Sequence, residues 1–156
     1  MATADELLSA EMCDDILTVD LDSRIIIIPK NVTNIGVEND NLTKVFHFRV
    51  PRHYCGVDLG KFSIRVNYEN AQGEGDVYEV ENAVIEDELI KFDWPVGRHA
   101  VTKRGDVTFI LCFKDLTGDD SVIPELNTTI ASLPVLPGLE TGAVAIQEYT
   151  DILEQW

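Results

Sequence analysis

Between Phe62 and Glu69 apolar and polar side chains alternate without a break. Successive side chains of a strand point to opposite sides, so an extended backbone puts Phe62, Ile64, Val66 and Tyr68 on one face and Ser63, Arg65, Asn67 and Glu69 on the other. The run gives way to Asn70-Ala71-Gln72-Gly73-Glu74-Gly75 and resumes with Val77-Tyr78-Glu79-Val80. This reads as a β-hairpin whose loop exceeds two residues, with Gly73 and Gly75 free to take positive φ. The same period of two recurs along the chain. Ile16 to Leu21 alternates, turns at Asp22-Ser23 and returns through Arg24 to Ile28 before Pro29, an early hairpin in which the isoleucine run Ile25 to Ile28 fits a buried strand. Val45 to Val50 presents Phe46, Phe48 and Val50 on one face and stops at Pro51. Ala83-Val84-Ile85 and Leu89 to Trp94 flank the acidic turn Glu86-Asp87-Glu88, and Val107 to Phe113 lines up Val107, Phe109, Leu111 and Phe113. Thr128 to Val135 is the last strand, with Pro134 marking an edge or an end. Asn31 to Leu42 reads as a loop interrupted by Ile35 and Val37, with Gly36 placed for positive φ.

About eight short strands at this spacing, with no helical period between them, predict an all-β fold, an antiparallel β-sandwich, over a parallel α/β sheet. The two flanks differ from the centre. Residues 1–15 scatter Leu7, Leu8 and Met12 among acidic side chains and read as an amino-terminal arm, either mobile or a short helix too small to be stable alone. Beyond Pro137-Gly138 the period of two disappears, and Ala145, Tyr149, Ile152 and Trp156 recur at spacings of four, three and four, a helical seam that either packs on its own sandwich or joins copies. The expected organisation is an arm over 1–15, a sandwich over 16–138 and a short carboxyl-terminal helix over 139–156.

Composition narrows the partners. The 28 acidic against 12 basic residues give a formal charge of −16, which argues against nucleic acid and against an anionic membrane surface, since neither gains by releasing counterions here. A neutral or basic protein partner fits better. The longest strongly apolar string is four isoleucines, too short to span a membrane, and the first fifteen residues lack the positive start of a secretory signal, which points to synthesis in a cytoplasm. Cys13, Cys55 and Cys112 are odd in number and in no metal-ligand spacing, so reduced thiols are expected, with neither metal nor cofactor.

Candidate chemistry is sparse. His53 stands two residues from Cys55, and a thiol nucleophile needs a nearby base, but no third residue is recognisable as an orienter. His47 falls on the polar side of its strand and His99 in a polar loop. The acidic turns lack the ordered oxygen spacing of a calcium loop and read as solvated. There is no phosphate-binding loop, nucleophile elbow or metalloprotease motif, so the expectation is a protein that is not an enzyme. Arg98, Lys103 and Arg104 gather in one loop, either as partners for the chain's own acidic turns, the simpler reading, or as a contact for an acidic neighbour.

The segments Ile35-Gly36-Val37-Glu38, Phe48-Arg49-Val50-Pro51-Arg52, Val66 through Tyr78, Trp94-Pro95-Val96-Gly97-Arg98, Asn127-Thr128-Thr129 and Gly138-Leu139-Glu140 carry a resemblance covering most of the chain. They resemble a module of bacteriophages and prophages of Gram-positive gut bacteria, found at the amino-terminal end of virion structural proteins of the tail-fibre, baseplate or head-fibre kind. The resemblance implies a β-sandwich that docks onto the virion, through capsid, portal-proximal or tail proteins, and a helix leading toward an oligomeric stalk. On that reading the chain is made in the host cytoplasm and resides in the virion. Leu7, Leu8 and Met12 would supply docking contacts, while Tyr149, Ile152 and Trp156 would join copies, most plausibly as a trimer. The alternative is a host-receptor or carbohydrate-binding module, which exposed Trp or Tyr on a sheet face would favour and their burial would disfavour. In the motif itself, Trp94 before Pro95 offers a large apolar anchor and Gly97 a tight reversal.

Overall fold

The computed structural model of the chain describes residues 16–116 and 123–139. Among them, thirteen strands form two sheets and one small hairpin. The first sheet runs from edge to edge through β2 (Ile25–Ile27), β1 (Ile16–Asp20), β4 (Val45–Pro51), β10 (Leu89–Pro95) and β9 (Val84–Glu86). The second runs through β3 (Gly36–Val37), β13 (Ala131–Leu136), β11 (Gly105–Lys114), β7 (Ser63–Glu69) and β8 (Gly75–Glu79), with β12 (Glu125–Asn127) also on β11. β5 (His53–Tyr54) and β6 (Val57–Asp58) pair with each other. The arm over 1–15 and, apart from Leu139, the helix expected over 139–156 lie outside the described residues, and with them Leu7, Leu8, Met12, Tyr149, Ile152 and Trp156.

The fold is all-β, but it departs from eight antiparallel strands in two ways. The additional strands are two or three residues long, too short to show a period in sequence. Two pairs are parallel, β1 on β4 and β13 on β3. The parallel pairs follow from the chain path, which does not finish one sheet before starting the other. It lays β1 and β2 in the first sheet, crosses for β3, returns for β4, crosses for β7 and β8, returns for β9 and β10, and ends in the second sheet.

Burial follows the alternation closely. Phe46, Phe48 and Val50 from β4 and Ile90, Phe92 and Trp94 from β10 face Ile64 and Val66 from β7 and Val107, Phe109, Leu111 and Phe113 from β11 in one continuous core, with Phe62 beside them. Each such side chain contributes about 1.5–3 kcal/mol when fully buried. The seven-residue antiparallel ladders β4–β10 and β7–β11 form the centres of the two sheets. Trp94, 1% exposed, joins them: its ring lies 5.9 Å from Phe46 in its own sheet and 5.6 and 5.3 Å from Tyr68 and Phe109 in the other.

Three local expectations are corrected. The isoleucine run is an edge strand and not a buried one: Ile26 turns inward, while Ile25 and Ile27 are 50% and 49% exposed on the outer face. Gly73 has φ +81 in its hairpin loop and Gly36 φ +130 where β3 opens, but Gly75 opens β8 outside the left-handed region. The final strand starts at Ala131, three residues later than its pattern suggests, because Thr128 to Ile130 cross between β12 and β13 with Ile130 72% exposed. Pro134 is tolerated one strand in from the edge. Its carbonyl accepts from the Ile35 N–H at 3.0 Å, so its nitrogen also faces the short β3 side and costs the β11 ladder nothing.

Candidate functional site

The residues that carry chemistry are mostly tied to one another. His47 of β4 lies directly opposite Asp93 of β10, with Nδ1 2.6 Å from the carboxylate. Arg65 and Glu79 face each other across β7 and β8 at 3.3 Å, and Lys91 reaches Glu86 at 3.4 Å. His53 has Nδ1 3.1 Å from Glu88, which also lies 3.8 Å from Arg52, whereas Cys55 sits exposed in the turn between β5 and β6 with φ 49. The imidazole is thus committed to a carboxylate on the neighbouring acidic turn. Arg52 makes a forked contact with Asp58 at 3.1 and 3.2 Å, whose hydrogen bonds raise the guanidinium and lower the carboxyl relative to their usual values.

In the basic loop Arg98 and Arg104 turn back onto the segment Glu38-Asn39, while Lys103 is exposed and makes no ion pair among the described residues. Arg104 grips Glu38, with Nε at 3.1 Å and a second nitrogen at 3.0 Å, and the Arg98 Nε–H donates to the Asn39 carbonyl. Glu38 also accepts from the Gly138 and Arg104 backbone N–H groups at 2.9 and 3.1 Å. The Gly138 bond leads in holding its carboxyl below the usual value.

His99 sits at one end of the sandwich beside the long central motif. The Tyr68 hydroxyl is 3.2 Å from His99 Nδ1, and Asp76 is 3.8 Å from the same nitrogen. Burial, helped by Asp76, pushes the Tyr68 phenol up to about 12, so it stays protonated and is no nucleophile at neutral pH. Asn70, 3% exposed, organises this end. Its Oδ1 accepts from the Gln72 and Glu74 N–H groups at 3.0 and 2.9 Å, and its Nδ2 donates to the His99 carbonyl at 3.0 Å and to Glu74 at 3.3 Å. The motif from Val66 to Tyr78 is therefore a hairpin pinned to the turn that carries His99.

Sequence reasoning missed one concavity, because its walls come from three distant segments. Where the chain leaves β8 for β9, Tyr78 and Val80 stand opposite Val45 and Pro95, with Glu81 and Asp93 at the rim. The only local signal was the polar stretch Glu81-Asn82 after an alternating strand. Among the described residues, no group of three or more His, Cys, Asp or Glu side chains is placed to hold a metal ion, and no helix is long and apolar enough to cross a membrane.

No family model matches the chain, and no curated protein matches it. Among solved structures it is similar to the N-terminal domain of phage TP901-1 ORF48, at 11% identity and a TM-score of 0.48, over 78% of this chain and 96% of that one.

Proposed function

We propose that the chain is a non-enzymatic structural protein of a bacteriophage particle, anchoring to or decorating the capsid or the tail and baseplate, and assembling as an oligomer. The observation that carries this reading is the fate of the aromatic residues in the motifs of the resemblance. Trp94 is spent on joining the two sheets, and Tyr68 and Tyr78 pack partly buried against the core, as does Tyr54 outside the motifs. Among the described residues, apart from Tyr78 at the edge of the cleft, no Trp or Tyr stands free on a sheet face, where a sugar-binding module would display one to stack on its ligand. The motif residues thus serve a scaffold, and the carbohydrate-binding reading loses its expected platform.

The flanks supply the proposed attachments. Leu7, Leu8 and Met12 would dock on the particle, and Tyr149, Ile152 and Trp156 would join copies around a symmetry axis, three-fold by preference. Mass spectrometry of purified particles of the encoding phage should find the chain alongside capsid and tail proteins. Removing residues 2–15 should lower that incorporation, and removing 143–156 should release folded monomers in sedimentation. A chain recovered only from the lysate and never from purified particles would overturn the proposal.

A further inference from the structure

The cleft beside β8 exists because the backbone declines a pairing that its register offers. β9 and β10 pair Val84 with Lys91 and Ile85 with Ile90, and extending that ladder backward would set Asn82 beside Asp93 and Val80 beside Pro95. The Val80 N–H donates instead to the Ile64 carbonyl of β7 at 3.0 Å, which holds the connection on the other sheet and leaves a gap. Val45, Tyr78, Val80 and Pro95 wall the gap, and the carboxylates of Glu81 and Asp93 sit with them.

The chemistry of these walls selects a ligand class. An anion would meet two carboxylates, and a purely apolar group would strip water from them without replacing it. Asp93 commits Oδ1 to His47, and Glu81 has no ion pair among the described residues. Tyr78 brings a ring packed on the core and a hydroxyl that burial, reinforced by Glu81 and Asp93, keeps protonated. A cation on a long apolar stem satisfies every wall at once: the stem lies along Val45, Val80 and Pro95, and the head meets the carboxylates and the aromatic ring. A planar guanidinium does this better than an ammonium, because it stacks on a ring and bonds two acceptors in a fixed fork. We propose that this cleft receives an arginine side chain of a partner protein. The formal charge of −16 would draw such a basic surface in, and the cleft would fix its register. The inference goes beyond the structural role above and holds for any protein partner.

The test is a titration of the isotope-labelled full chain, followed by amide NMR, with a capped Gly-Arg-Gly peptide and with the same peptide carrying citrulline, which keeps the shape and removes the charge. The arginine peptide should give saturable shifts centred on Tyr78, Val80, Asn82 and Asp93. Citrulline should bind about tenfold more weakly or not at all, as loss of a charge-assisted pair implies. Glu81→Gln, an exposed change that leaves the His47–Asp93 pair intact, should weaken arginine binding by a similar factor with unchanged melting. Equal binding of citrulline, shifts spread over the acidic surface, full affinity in Glu81→Gln, or no saturable shift would each overturn the proposal.

Discussion

Replacing Asn70 with alanine should loosen the end of the sandwich that carries His99. The side chain makes four hydrogen bonds while 3% exposed. At about 0.5–1.5 kcal/mol net per bond, the four would sum to about 2–6 kcal/mol. The lower part of that range applies here. The Gln72 and Glu74 N–H groups belong to exposed residues and can turn to water, and the bond to the Glu74 carboxylate lies at 3.3 Å near solvent. The bond to the His99 carbonyl has no such replacement, so the expected cost is about 2–3 kcal/mol. With a urea slope of about 2 kcal/mol per molar, the midpoint should fall by about 1–1.5 M. Asn70→Asp separates the two halves of the side chain. It keeps the acceptor for the loop and loses both donors, and it sets a charge against Glu74 and the His99 carbonyl, so it should be as damaging as alanine. Urea melts of the two variants beside the parent decide the matter. An alanine variant within about 0.5 kcal/mol of the parent would mean that the hairpin loop is not pinned to the His99 turn.

Trp94→Ala should cost about 5 kcal/mol in the same melts, since it removes a fully buried indole that touches three rings in two sheets; a loss below about 1 kcal/mol would refute its joining role. Glu88→Gly should raise the melting temperature, because Glu88 occupies the left-handed region at φ 61 and relief there, about 1 kcal/mol, exceeds what its two exposed contacts contribute together, one at 3.8 Å to Arg52 and one to His53. A lower melting temperature would show the reverse balance. Glu38→Gln should destabilise at neutral pH by an amount that shrinks as pH falls. The folded carboxyl is held below its usual 4.5, so its contribution is full above that value and is lost as pH drops through the folded value. A parent-to-variant difference in melting that stays constant from pH 7 to about pH 3 would contradict this.

The central ladders were legible in sequence because β4, β7, β10 and β11 are long enough for alternation to declare itself, and Phe46, Phe62, Phe109 and Phe113 fell on the faces the pattern gave them. What the pattern could not convey was how far each strand is shared. Four consecutive isoleucines look buried, yet a strand with a neighbour on one side and a core on one face hides only every second residue, and Ile25 and Ile27 stay outside. The parallel pairs were invisible because pairing direction depends on the crossings between sheets and leaves no mark in local periodicity. The acidic hairpin turn was recognisable as a turn, but its left-handed geometry was not, since Asp87 tolerates that region without requiring it and Glu88 gives no sign of it. The cleft was hidden for a similar reason: its apolar walls at Val45, Tyr78 and Pro95 belong to three different strands.

The placement of β3 between distant ends of the chain has a consequence for synthesis on the ribosome. The Ile35 and Glu38 N–H groups donate to the carbonyls of Pro134 and Leu136, so a segment made early waits about a hundred residues for its partner. The second sheet likewise gains β12 and β13 only from the last part of the described chain. Such non-local closure is slow, and until it occurs the apolar faces of β4 and β7 have no complete cover. A nascent chain stalled before Leu136 should therefore remain sensitive to protease and bind chaperones, and protection should appear in one step once β13 is free to pair. Late and abrupt folding of this kind makes the apolar faces of β4 and β7 the aggregation-prone surfaces of an incomplete chain, covered only once β13 has paired.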